Sequence, residues 1–298
     1  MRKDAGAAAA AEIINMQKLQ VRKLEIKEHS RTRKLWEEIF VSDTSEFLDY
    51  YYAVKAKDNE IYVIEDEGEI VSMLHLNPYK MRVWGKEYQT HYIVAVATDV
   101  RYRRRGMMAT LMNHCLRVMK ERKEPFTFLM PASEALYRPF GFEFIYNQGQ
   151  GSVRGESIVD SEVDFVLATW EDCEEMAYFA NRLLSHYDVT VLRSASYYQM
   201  MLAEQESENG GILLARKNGA LAGIFCFAKE GHVEIREPLF EEEILLRNAA
   251  YHLTGSESEE VRCIGYGSEK KPVIMAKVLC PELSGDLRHA KVFLNEVV

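Results

Sequence analysis

Arg103-Arg104-Arg105-Gly106 lies between an apolar run, Tyr92-Ile93-Val94-Ala95-Val96-Ala97-Thr98, and a stretch with helical spacing from Met107 to about Lys120. The first N–H groups of a helix have no intrahelical partners and carry the positive end of the peptide dipoles. Arginines and a glycine delivered to that end make an anion site suited to phosphate. Gly106 lets a ligand approach the backbone closely, because no Cβ intervenes. A solvated basic turn has the same composition. Nucleic acid is a poorer partner, since no second basic cluster accompanies the loop and the chain is net acidic. Further on, a short apolar run (126–130) leads into Ser133-Glu134-Ala135-Leu136-Tyr137-Arg138-Pro139-Phe140-Gly141-Phe142. Tyr137 there is either a proton donor or an aromatic packed beside Phe140 and Phe142.

These residues need a scaffold, and the patterning supplies one. Leu19 to Ile26 alternates as a strand, and Glu28 to Phe40 spaces Leu35, Trp36, Ile39 and Phe40 on one helical face. Ser45 to Lys55 reads as a second helix dense in tyrosine. Glu60–Glu65 and Glu69–Leu76 flank Asp66-Glu67-Gly68 as a hairpin, and Pro78 is expected to end or interrupt the second strand. Lys80–Trp84 and Tyr88–Thr98 form the next hairpin. His75 and His91 read as satisfied sheet residues. Met108, Leu111, Met112, Cys115 and Met119 form a core stripe on the helix after Gly106.

The chain has 298 residues, a net charge of -9 and 47% apolar residues. That suffices for two domains with real cores and suits a cationic substrate. Five scattered cysteines without CxxC spacing read as reduced cytosolic thiols, neither a disulfide frame nor a zinc site. No metal is implied, and no apolar run is long enough to span a bilayer. A cytoplasmic location is therefore expected, with Met16 as an alternative initiator to Met1.

Arg103-Arg104-Arg105-Gly106-Met107-Met108 resembles the acetyl-CoA loop of GNAT N-acetyltransferases, Arg/Gln-x-x-Gly-x-Gly/Ala. Arg103 and Gly106 fit, and Met108 departs from the small residue usual there. The Ser133–Phe142 segment is similar to the Ser-Glu-x-x-Ile-Tyr-x-x-Phe-Gly-Tyr stretch of the Eis-like (enhanced intracellular survival) branch. The resemblance implies an α/β fold with a mixed sheet, a GNAT domain followed by a second, degenerate GNAT-like one, and acetyl-CoA as cosubstrate. It implies that Val96, Ala97 and Thr98 meet the cofactor through the main chain, and that Arg103, Arg104, Arg105, Gly106, Met107 and Met108 hold its diphosphate. It makes Tyr137 the general acid. The terminal carboxylate, here Val298, is the candidate base, with Glu134 and water as alternatives. The acceptor would be a small-molecule or peptide amine: an aminoglycoside, a polyamine or a lysine. A homo-oligomer is left open, and neither nucleic acid nor membrane is expected.

The expected organisation is an N-terminal extension (1–18), an acetyl-CoA-binding domain (19–150), a polar linker (151–164), a degenerate GNAT-like domain (165–270) and a C-terminal strand pair (271–298). The second half repeats the order strand, two helices, hairpin, but no basic glycine loop precedes its helix at Glu241. Lys271–Val278 resembles the entry to a sterol-carrier-like third domain, for which too few residues remain. The rival reading is a non-catalytic acyl-CoA-binding or sensory module.

Overall fold

The computed structural model describes residues 20–158, 162–280, 283 and 285–295. The expected extension (1–18), Met1, Met16 and Val298 lie outside them. Among the described residues the architecture is a mixed α/β one, with strands joined in one long sheet and helices on both faces.

In the first half, β1 (Val21–Lys23), β2 (Glu60–Asp66), β3 (Glu69–Val83), β4 (Lys86–Thr98) and β5 (Phe126–Leu129) lie side by side in that order. The strands alternate between two cores, as a period of two requires. Ile61, Val63, Met73, Ala95 and Ala97 face one side, under α1 (Arg33–Ile39) and α2 (Ser45–Ala53), where Trp36, Leu48 and Tyr51 are buried. Tyr62, Ile64, Leu74 and Leu76 face the other, under α3 (Met107–Glu121). Leu111, Met112, Cys115 and Met119 of α3 are fully buried there, the stripe the spacing predicts. Each buried leucine or methionine is worth about 1.5–3 kcal/mol against exposure.

Pro78 neither ends nor interrupts its strand. β3 runs through it, with Pro78 opposite His91 of β4. Pairing with β2 stops at Glu60–Leu76, so a missing N–H on that flank leaves no rung unmade.

The second half repeats this plan. β7 (Val163–Leu167), β9 (Gly211–Lys217), β10 (Ala220–Glu230), β11 (His232–Phe240) and β12 (Glu260–Ile264) are packed by α5 (Cys173–Leu183) and α6 (Ala195–Ser207) on one face and α7 (Glu243–Thr254) on the other. Along the sheet the order is β1-β2-β3-β4-β5-β13-β6-β12-β11-β10-β9-β7. The two halves therefore approach the middle from opposite ends. There β6 (Glu143–Arg154), which follows β5 in the chain, pairs with β12 of the other half. β13 (Glu269–Val278), which follows β12, pairs with β5. The halves exchange a strand, and β6 and β13 also pair with each other.

Two expectations about the joints change accordingly. The stretch expected as a linker from 151 begins as the end of β6, its polar residues paired in the sheet. The C-terminal strands do not pair with one another. β13 sits between β5 and β6, while β14 (Val292–Phe293) pairs with β8 (Val189–Val191), which also flanks β3.

Candidate active site

The central observation is a fork. β4 and β5 run parallel and pair at Tyr92–Phe128; among the described residues this is their one rung. β4 continues to Thr98 while keeping its pairing with β3 as far as Ser72–Thr98. From Val94 onward its other edge has no ladder partner. A bulge sharpens the divergence: Val94 and Ala97 of β4 oppose His75 and Met73 of β3, so three steps on one strand match two on the other. Ala95 takes φ 51° within it, although buried. Bulges re-aim strands in this way beside functional sites.

β4 delivers the chain into the arginine loop. Asp99 accepts from the Arg101 N–H and guanidinium, and the guanidinium holds its carboxyl below the usual range. The Tyr102 hydroxyl donates to Asp66 at 2.7 Å, tying the loop to β2. Arg103 Nε donates to the Thr98 carbonyl at 3.2 Å. The Arg105 guanidinium lies over the Tyr102 ring at 5.2 Å. The guanidinium of Arg104 makes no hydrogen bond or ion pair with any described residue, and it is exposed. Arg104 and Gly106 both adopt left-handed backbone, with φ 64° and 79°. Gly106 caps α3 without a side-chain bond, and the first helical rung is Thr110 N–H to the Gly106 carbonyl. The N–H groups of Met107, Met108 and Ala109 thus lack helical acceptors, and the first turn holds no acid. A diphosphate fits this donor set.

The corresponding place in the second half has the opposite charge. β11 and β12 also run parallel, at Glu234–Arg262 through Arg236–Ile264, and α7 follows β11. The turn between them is Glu241-Glu242, with Glu243 opening the helix. Arg182 and Lys217 bind Glu241 and Glu242 at 2.6 and 2.8 Å. Glu243 lies 3.8 Å from Arg247, so each of the three carboxylates is ion-paired, and the turn presents acids where the first half presents arginines.

Of the other expected site residues, Ala97 is buried and Val96 and Thr98 are half-buried along β4. Ser72 donates to the Ala97 carbonyl at 2.9 Å and meets the Thr98 hydroxyl at 2.8 Å. Met107 is buried and Met108 half-buried. Tyr137 ends the short helix α4 (Glu134–Tyr137) and shares a core with Tyr92, Phe128 and Met107. Its ring meets the Phe142 ring edge-on at 6.1 Å, and burial pushes its phenol up to about 12. Glu134 pairs with Arg138 at 2.9 Å on the surface.

Sequence reasoning missed a cavity of about 290 Å³ between the two halves. Asp43, Phe47, Lys55 and Tyr79 line it from the first half, and Met201, Glu204 and Gln205 of α6, with Glu208 just past its end, from the second. Glu234, Arg236 and Glu237 of β11 and Asn295 also line it. The Tyr79 ring stands 6.2 Å from Tyr92 and 5.9 Å from Phe128, the two residues at the vertex of the fork. The cavity therefore abuts the point where β4 and β5 part. No sequence signal marked it, because α6 is packed against α2, α5 and β10 and its polar and apolar residues do not separate into faces.

Residues 20–145 match the family model described as an acetyltransferase (GNAT) domain. No curated protein sequence matches the chain. Among solved structures, a conserved Enterococcus faecalis V583 protein described as a probable N-acyltransferase superposes with TM-score 0.75 at 16% identity, over 88% of this chain and 73% of that one. Eis1 from Mycobacterium abscessus gives TM-score 0.63 at 12% identity, over 88% and 73%. A tandem GNAT protein from the clavulanic acid biosynthesis pathway gives 0.57 at 13% identity, over 89% of this chain and all of that one. The fold is thus a GNAT fold followed by a second GNAT-like unit.

Proposed function

We propose that the chain is an acetyl-CoA-dependent N-acetyltransferase of Eis-like type, moving an acetyl group to a primary amine of a cationic acceptor. The observation that carries this reading is the fork between β4 and β5, opening toward the arginine loop that leads into α3, a helix whose first turn holds no acid. The family match over residues 20–145 and the fold neighbours support an acyltransferase.

Arg104 and Arg105, with the N–H groups of Met107, Met108 and Ala109, neutralise the diphosphate, and Gly106 admits it to the backbone. Arg103 braces the loop against Thr98. The free edge of β4 near Val96 and Ala97 takes the place of the missing β5 rungs and pairs with the amide arm of the donor. An N–H on that edge stabilises negative charge developing on the thioester oxygen. Tyr137, with its phenol pushed up to about 12, is neutral at pH 7 and donates a proton to the departing thiolate. The first unit (19–150) binds the thioester. The second (165–270) has three acids where a diphosphate would sit and binds no second donor.

A thiol-release assay with acetyl-CoA and a panel of spermidine, an aminoglycoside and a lysine peptide tests the reading. Release with at least one amine is expected. Coenzyme binding without release across the panel contradicts it and favours a non-catalytic acyl-CoA module.

A further inference from the structure

We propose that Glu204, on α6 of the second unit, takes the proton from the acceptor ammonium, so that both units build one active site. This rests on the acyl-transfer reading and names its proton acceptor and acceptor class.

The cavity holds five carboxylates, and four are already engaged. Asp43 accepts from the Trp36 indole at 2.7 Å. Glu208 meets Arg236, Glu234 is held by Arg236 and Arg262 at 2.9 and 2.8 Å, and Glu237 by Arg193 at 2.6 Å. Glu204, like Asp43, forms no ion pair among the described residues; its one side-chain hydrogen bond comes from the Tyr50 hydroxyl of the first unit at 3.1 Å, so this carboxylate is held across the two halves. Lys55 and Arg236 line the same cavity and favour its charged form, yet neither is ion-paired with it, so the carboxylate has room for a cationic ligand.

Two further groups in the same wall point to a ligand. Gln205 and Asn295 are 4% and 6% exposed, and among the described residues Gln205 Oε1 and Asn295 Nδ2 have no hydrogen-bond partner. Such orphans are expensive unless something supplies the missing bond. An ammonium donor suits the Gln205 oxygen, and an acceptor's hydroxyl or carbonyl oxygen suits the Asn295 amide.

Burial raises the Glu204 carboxyl to about 7, with Glu208 pushing the same way and Lys55, Tyr50 and Arg236 opposing. Glu234 and Glu237 of β11 line the same cavity. A base poised there exchanges protons readily at neutral pH. One N–H bond of the ammonium breaks and its proton passes to the Glu204 carboxylate. The freed lone pair forms the N–C bond, and the C–S pair leaves on sulfur, which takes the Tyr137 proton. The phenoxide recovers a proton from the new amide nitrogen, and Glu204 returns its own to solvent. The sum is ammonium plus thioester giving amide, thiol and one released proton.

The experiment is a pH–rate profile of kcat/KM for the best amine of the panel, with coenzyme A affinity measured alongside by calorimetry. The wild type should show an acidic limb near pH 7. Glu204→Gln should lower kcat/KM roughly 100-fold and lose that limb with coenzyme A affinity unchanged. Tyr50→Phe, which deletes the hydrogen bond favouring the carboxylate, should move the limb to higher pH while keeping turnover. Glu206→Gln, on the exposed side of α6, should match the wild type. An unaltered limb in Glu204→Gln overturns the role of Glu204 and leaves acyl transfer standing. A wild type that releases thiol with no amine overturns both.

Discussion

Glu204 also makes a prediction that needs no substrate. Its carboxyl is raised from 4.5 to about 7 in the folded chain, chiefly by burial. A raised folded-state value means that the folded chain holds the proton more tightly than the unfolded one. The associated stability is fully present below about pH 4.5, declines as the pH climbs, and is gone above about 7. A separation of about 2.5 units at 1.36 kcal/mol each gives about 3 kcal/mol. The cavity opens to solvent, so screening reduces this to roughly 1–3 kcal/mol. Glu204→Gln keeps an oxygen for the Tyr50 hydroxyl and cannot ionise. It should match the wild type at pH 4.5 and be more stable at pH 8, with a higher Tm at about 2–4 °C per kcal/mol. Thermal unfolding followed by circular dichroism at both pH values measures the difference. A variant that gains nothing between pH 4.5 and 8, or loses stability, refutes the claim that burial disfavours the charged form of this carboxylate.

Arg104→Ala should weaken coenzyme A binding by about 10- to 100-fold, one charge-assisted contact, with little change in Tm, since the Arg104 guanidinium has no hydrogen bond or ion pair among the described residues; calorimetry at two salt concentrations measures it. Gly106→Val places a β-branched residue at φ 79°, where the added Cβ would meet nothing within 4 Å. It should cost about 1–2 kcal/mol of strain and lose coenzyme A affinity well beyond that, as denaturant unfolding and calorimetry together would show. Tyr137→Phe should lower kcat about 100-fold with coenzyme A affinity kept, and the wild type should show no basic limb from this phenol until its value of about 12 is approached; steady-state kinetics and a pH profile measure both.

What was readable in the sequence was local. The arginine loop, the buried stripe of α3 and the two-fold recurrence of strand, helices and hairpin follow from spacing and composition, and each has its counterpart in the fold. What was not readable depends on pairing between distant segments. The exchange of β6 and β13 places polar strands in the middle of the sheet, where Gly149, Gly151 and Gln148 look like loop residues until their partners are known. The bulge at Ala95 leaves no mark, because alanine is not a residue that signals positive φ. The role proposed for β4 belongs to its main chain, which any side chains could accompany. Glu204 lies on a helix whose apolar and polar residues are mixed, so only its place in the cavity and its hydrogen bond from Tyr50 single it out.

The most direct measurement is a crystal structure of the chain with acetyl-CoA. The account predicts the diphosphate against the N–H groups of Met107 to Ala109 beside Arg104, and the thioester in the fork beyond the Tyr92–Phe128 rung, with its carbonyl toward β4 and the cavity of Glu204 on the acceptor side. A coenzyme seated at the second fork, between β11 and β12, or lying clear of β4, would contradict it.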